Sequence, residues 1–257
     1  IQQIKPYGTS VIGLSATPGR DSIDGDGIDT EELASLFDNN LYTINEFCHR
    51  FNKTPIRYLQ DKKILSSVKY SQLKTDYSIE LNADEKKSFK KTMRLPESFL
   101  KRAGEDIKRN TLIMTQIIKL VEDFKKKPLV FAPSKNNSDF LASLLIFRGI
   151  KAKSVTGETS ATDRQIAVED FKSGEIQVLL NYGVFTTGFD EPSIDCVMIA
   201  RPTTSVVLYS QMIGRGLRGP LNGGTKDCMV VDVIDNLDNQ PDIDLANNFF
   251  HDYWSTN

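Results

Sequence analysis

Several things are scarce in this 257-residue chain, and each scarcity narrows what the chain can be. No run of about 18 apolar residues occurs, so no helix crossing a membrane is expected. Cysteine is limited to Cys48, Cys196 and Cys228, without the paired spacing of a metal site or a disulfide framework. Cys196 and Cys228 sit in apolar runs, which predicts buried free thiols in a reducing compartment, the cytoplasm. Neither sign of charge dominates, since the net charge is −2. No signal peptide is visible; because the chain starts at Ile1, its natural N-terminus is expected to lie upstream.

The charge is unevenly spread, however. Residues 53–127 hold 19 Lys or Arg against 10 Asp or Glu, a net of +9, so the remainder sums to −11. A basic segment in an otherwise acidic chain is a candidate contact for a polyanion, although a lysine-rich helical surface has the same composition.

The most informative stretch runs from Ile176 to Arg218. Ile176–Leu180 and Ile194–Ala200 have the length and apolarity of strands buried on both faces, and Pro202 stops the second. Between them lies Thr186-Thr187-Gly188-Phe189-Asp190, a loop in which Gly188 permits a turn or close approach to a ligand. Val206–Arg218 reads as a helix and its end, carrying Gln211, Arg215 and Arg218 at spacings that share a face. Two guanidinium groups and an amide aimed at one place suit an oxyanion-rich ligand such as a nucleotide phosphate. Gly214 and Gly216 flank Arg215; since glycine costs about 1 kcal/mol inside a helix, a close approach is expected there.

Thr-Thr-Gly-Phe-Asp resembles motif V, and Gln211-Met-Ile-Gly-Arg-Gly-Leu-Arg218 resembles motif VI, of the superfamily 2 helicases and translocases. Ser15-Ala16-Thr17, after a short strand Val11–Leu14, resembles motif III, which in that family couples the ATP site to the nucleic-acid groove. Three motifs in the right order make the resemblance specific. The family's phosphate-cradling loop and acidic magnesium motif precede motif III, and neither is found: no Gly-Lys-Ser/Thr occurs anywhere. The chain therefore resembles the C-terminal part of a longer protein, and by itself is expected not to hydrolyse ATP.

The chain between these motifs reads as alternating elements. Asp21–Asp29 is a loop, followed by short helices to Ile64, an extended segment over 70–81 and a helix beginning near Asn82. Glu105–Lys127 has helical apolar spacing. Beyond Pro128 come strands at 129–132, 152–155, 176–180, 194–200 and 228–233, with helices at 136–147, 161–171, 206–218 and 242–254. Such alternation means α/β architecture: a parallel sheet with helices on both faces, its ligands beyond the carboxyl ends of the strands. In the light of the resemblance, residues 1–30 are the remnant of a first RecA-like domain. Residues 31–127 are a basic, mostly helical linking segment, and 128–257 are the second RecA-like domain.

The resemblance also implies roles. ATP, with Mg2+ held by the missing N-terminal part, lies between two RecA-like domains. Arg215 and Arg218 act as arginine fingers, Gln211 stands near the attacking water, and Gly188 and Asp190 face the nucleotide. Ser134 and Lys135 match motif IV in position, and with Thr156, Gly157, Tyr182 and Thr187 they would contact the nucleic-acid backbone. Many members have a threonine where Tyr182 stands. Together with Gln in place of His at the start of motif VI, this resembles DNA-directed members related to type I and III restriction-enzyme motor subunits more than DEAD-box RNA helicases. The expected partners are DNA, with RNA as the alternative, the missing first RecA-like domain, and restriction or repair subunits. The competing reading is a RecA-like module that grips nucleic acid without being part of a motor.

Overall fold

The computed structural model describes Ser35, residues 54–185 and 191–236, and Ala246. The calls on Val11–Thr17, on the 21–29 loop, on Thr187, Gly188 and Asp190, and on a terminal helix lie outside these residues, apart from Ala246, which is helical and buried.

The described chain runs α1 (Pro55–Asp61), β1 (Ser67–Ser78), α2 (Ala83–Thr92), α3 (Glu97–Glu105), α4 (Ile107–Glu122), β2 (Pro128–Phe131) and α5 (Lys135–Phe147). It continues through β3 (Ala152–Val155), α6 (Ala161–Ser173), β4 (Val178–Asn181), β5 (Cys196–Ile199), α7 (Val206–Gly214), a 3-10 turn at Pro220–Asn222, and β6 (Asp227–Asn236). All six strands form one sheet in the order β1-β6-β5-β2-β4-β3, and every pairing is parallel.

Strand alternation divides the core in two. Leu129, Phe131, Val197 and Ile199 face one side with Phe171 of α6 and Tyr209 and Met212 of α7. Val130, Cys196, Met198 and Val231 face the other with Ile113, Ile117 and Leu120 of α4 and Leu141 and Leu145 of α5. Both faces are covered, which is why β2, β4 and β5 are buried at every position. Cys196 and Cys228 are buried and unpaired by disulfides, and burial drives both thiols upward in pKa, Cys228 to about 12. They are core side chains, inert as thiolates. No helix among the described residues is long and apolar enough to span a membrane.

Two elements differ from the sequence reading. The extended stretch near 70–81 is a 12-residue strand, β1, paired with β6 from Ser67↔Asp227 to Lys74↔Ile234. Residues from the stretch read as linking thus form an edge of the sheet, where the exposed Lys69 and Lys74 discourage further strand addition. The helix read over Glu105–Lys127 is α4, and a separate helix that the sequence reading did not name, α3, precedes it. α3 ends at Glu105, and Asp106, extended at ψ 121°, accepts from the Arg109 N–H at 2.6 Å to start α4.

α4 is locked to the sheet by Arg109, which is fully buried. Its Nε donates to Asp235 Oδ1 at 2.8 Å and its Nη2 to the Ala200 carbonyl at 2.6 Å, while the Thr75 hydroxyl donates to the same Asp235 oxygen at 2.7 Å.

α2 and α3 form a small unit with its own core of Ile79, Leu81, Phe89, Leu95, Phe99, Leu100 and Ala103. Its hub is Glu85, which closes a capping box with Asn82 and accepts from Ser98 Oγ at 2.7 Å and Arg102 Nη2 at 2.5 Å. Burial opposes the Glu85 charge, but the Asn82 N–H, the Ser98 hydroxyl and the Arg102 guanidinium outweigh it and hold the carboxyl below its ordinary range.

Candidate functional site

In an open parallel sheet the crevice beyond the carboxyl ends of the strands is the natural ligand site, above all where the chain order reverses. Register aligns those ends here. Phe131 of β2 is level with Asn181 of β4 and Ile199 of β5, and Val155 of β3 is level with Asn181. The next residues therefore emerge side by side: Ser134 after β2, Thr156 and Gly157 after β3, Tyr182 after β4 and Arg201 after β5. β4 and β5 flank β2 on opposite sides, so this row crosses the reversal point.

Each member of the row has a local task. Ser134 caps α5, its Oγ accepting from the Asn137 N–H at 3.2 Å. Because the hydroxyl accepts there, its own proton is left to donate to an oxygen ligand. Thr156 is buried and stabilises its turn: its Oγ1 accepts from the Glu158 N–H at 3.3 Å, and its N–H donates to Thr159 Oγ1 at 3.0 Å. Gly157 is exposed and a side chain there would meet nothing within 4 Å, so no close packing demands glycine. Lys135 forms an ion pair with Glu158, both side chains reaching solvent. A pair of that kind contributes about 0–1 kcal/mol, so Glu158 holds Lys135 only weakly.

Tyr182 is not alone at the β4 end. The Arg201 guanidinium lies over its ring, 5.2 Å from the centroid, linking the ends of β4 and β5 across β2. Burial lowers the Arg201 pKa and Tyr182 supports the cation. Sequence reasoning missed Arg201. Its only local signal was an arginine between a buried strand and a proline, and the contact that matters joins residues from two strands.

The motif VI stretch is arranged otherwise than a continuous helix would have it. α7 ends at Gly214; Gln211 lies inside it, Arg215 is its C-cap, and Arg218 is beyond it. The shared helical face holds for Gln211 and Arg215 but not for Arg218, whose backbone forms an antiparallel bridge with Leu65. Gly216 explains the break: a β-carbon there would stand 2.5 Å from Cys228 Sγ and 2.7 Å from Val197 Cγ2. Its close approach is to the core, not to a ligand, so that glycine is no evidence for ligand binding. Gly214 meets nothing within 4 Å.

A second missed residue fixes Arg218. Ser66 is fully buried, and its Oγ lies 2.7 Å from both the Arg218 and Thr225 carbonyl oxygens, sharing one proton between them. Around it the Ser66 N–H donates to the Leu217 carbonyl at 3.0 Å and the Gly219 N–H to the Ile64 carbonyl at 2.9 Å. Gly219 and Gly224 are tight because their α-carbons face the Lys63 and Arg218 carbonyls, where a β-carbon would sit 2.3 and 1.9 Å away.

Asp232 lies one row along, on β6. It is 2% exposed and accepts from the Tyr70 hydroxyl at 2.7 Å and the Tyr209 hydroxyl at 2.6 Å, both on Oδ2, with Oδ1 unpartnered. It lines a small pocket with Ile199, Arg201, Thr203 and Tyr209. Burial raises its pKa to about 6 against the two tyrosine hydrogen bonds. No group of three or more His, Cys, Asp or Glu that could hold a metal occurs among the described residues.

A six-stranded parallel sheet covered by helices, with its loops gathered at the strand ends, defines the class as RecA-like α/β. Residues 109–219 match the family described as the helicase conserved C-terminal domain. The chain thus carries a superfamily 2 helicase C-terminal domain.

Among curated proteins, IRC3 of Saccharomyces cerevisiae, named as an ATP-dependent helicase, is 34% identical over 225 residues, which is 87% of this chain and 29% of that protein. DEAD-box ATP-dependent RNA helicase 35A of Oryza sativa is 32% identical over 103 residues, 39% of this chain and 16% of that protein. The chain therefore spans less than a third of either relative. Among solved structures, a DEAD box protein from Methanococcus jannaschii aligns with a TM-score of 0.45 at 22% identity, covering 56% of this chain and 37% of that one.

Proposed function

We propose that this chain is the C-terminal motor portion of an ATP-dependent DNA helicase or translocase. The observation that carries the reading is the row of strand ends bearing Ser134, Lys135, Thr156 and Tyr182, set in a helicase C-terminal domain that also holds Gln211, Arg215 and Arg218. ATP binds between this domain and a first RecA-like domain that supplies the phosphate loop and the magnesium ligands. Arg215 and Arg218 neutralise charge that develops on the transferred phosphoryl group, a contribution of about a thousandfold or more in rate. Gln211, one turn before Arg215, orients the attacking water. By the resemblance, Thr187 is a further nucleic-acid contact and Gly188 and Asp190 are nucleotide contacts. The strand-end hydroxyls and Lys135 grip phosphates without reading bases.

DNA is favoured by Gln211 at the head of motif VI and by Tyr182 in place of a threonine. An RNA substrate is the second reading, supported by the likeness to a protein named as an RNA helicase.

The test is ATPase activity of the full-length protein with single-stranded DNA, duplex DNA and RNA. Stimulation by DNA, abolished by Arg215→Ala or Arg218→Ala with DNA binding retained, is the expected result. Stimulation by RNA alone moves the substrate to RNA. Full function after both arginine substitutions refutes the motor.

A further inference from the structure

Four of the 19 Lys and Arg of residues 53–127 lie on one short helix. α2 places Lys86, Lys87, Lys90 and Lys91 at i, i+1, i+4 and i+5, all exposed, on the side opposite Glu85 and Phe89, which are buried. None of these four lysines forms an ion pair among the described residues. Acidic residues nearby are otherwise committed. Of the four Asp or Glu in residues 82–105, Glu85 is bound by Arg102, and Glu105 lies 4.0 Å from Lys101. Asp84 and Glu97 occupy the first turns of α2 and α3, where helix N-termini favour negative charge.

The helix is also in the right place. Two anchors seat the α2–α3 unit on the carboxyl ends of the strands. At the end of α2, the Met93 carbonyl accepts from Thr204 Oγ1 at 2.7 Å, in the loop that follows β5. At the end of α3, the Gly104 carbonyl accepts from Asn137 Nδ2 and Asn110 Nδ2, each at 2.8 Å. A β-carbon at Gly104 would stand 3.0 Å from Ser134 Oγ, so α3 rests directly on the loop of the candidate phosphate row. Glu85, held by three donors, fixes α2 to this platform before any ligand arrives.

We propose that the lysine face of α2 is a second phosphate-backbone contact, which extends the strand-end row onto the accessory unit and holds duplex DNA. The inference rests on the nucleic-acid reading above and adds a surface to it. Four lysines on one rigid face contact successive phosphates without sequence preference and release condensed counterions.

The experiment is fluorescence anisotropy of the full-length protein on a mixed-sequence duplex DNA and on an RNA duplex across a salt series. Three forms are compared: the wild type, the quadruple Lys86→Gln/Lys87→Gln/Lys90→Gln/Lys91→Gln variant, and the quadruple variant with Arg at the same positions. The expected result is a Gln variant of unchanged melting temperature whose DNA binding is about tenfold or more weaker. Its log–log salt slope should be smaller by about 2–4, roughly one per lost contact, and the Arg variant should restore both. Wild-type affinity and slope in the correctly folded Gln variant overturn the proposal while leaving the motor reading intact. A loss confined to RNA also overturns it. Failure of the wild type to bind either nucleic acid overturns the functional reading and, with it, this one.

Discussion

Asp232 makes the stability of this fold depend on pH in a direction opposite to most carboxylates. Its carboxyl is buried between β1, β6 and α7, and burial lifts its pKa from 3.8 to about 6 although Tyr70 and Tyr209 both donate to Oδ2. Between those two values the unfolded chain has released the proton and the folded chain has kept it, so raising the pH favours unfolding. The stabilisation is fully present below pH 3.8 and is lost as pH rises through about 6. One pKa unit corresponds to about 1.4 kcal/mol, so a shift of this size is worth roughly 3 kcal/mol between the two limits. Asp232→Asn keeps an acceptor for both tyrosines and removes the titration. The assay is urea unfolding of the chain and of the variant at intervals from pH 4.5 to 8, reading the difference between them so that other groups cancel. The variant should gain on the wild type most steeply below about pH 6 and level off above it. A difference that stays flat across the series refutes the assignment of a buried, raised carboxyl at this position.

Two further outcomes follow from buried polar contacts. Arg109→Ala leaves the buried Asp235 carboxyl without its guanidinium partner and should cost about 3–5 kcal/mol in chemical denaturation. The double variant Arg109→Met/Asp235→Leu should recover much of that loss, and a single-variant cost under about 1 kcal/mol would contradict the contact. Ser66→Ala removes the hydroxyl that holds the Arg218 and Thr225 carbonyls and should destabilise by about 1–3 kcal/mol. If Ser66 positions Arg218, kcat of the full-length ATPase falls in this variant while KM for ATP stays near wild type. An equal loss of folded protein and activity, with kcat per folded molecule unchanged, would leave Ser66 a purely structural residue.

Much of the architecture was legible because it is written locally. β2, β4 and β5 are short apolar runs closed by turn residues, and the caps at Asn82, Ser134 and Ser160 mark helix starts through side chains that satisfy nearby N–H groups. The strand-end positions of Ser134 and Thr156 followed from alternation alone, since a parallel sheet puts every crossover loop at a strand end, whereas Tyr182 was singled out by the resemblance. What the sequence could not reveal depends on contacts between distant residues. β1 belongs to the sheet because Val68 to Lys74 meet Cys228 to Ile234, some 160 residues away, and no periodicity announces a partner. Apolar spacing did not mark α3 as a helix of its own, because its end depends on Asp106 capping α4 and on Gly104 packing against Asn137 and Ser134.

The candidate site divides along the same line. Which chemical groups it holds was determined by the sequence: guanidinium, amide and hydroxyl groups at motif spacing. How they are held was decided only by tertiary structure. Arg218 leaves the helix of Gln211 and Arg215 because Gly216 must press against Cys228 and because Ser66 claims the Arg218 carbonyl. Arg201 reaches Tyr182 because two strands flank β2. Side-chain chemistry is a property of each residue, whereas its orientation depends on what packs behind it, and here that backing comes from segments far away along the chain.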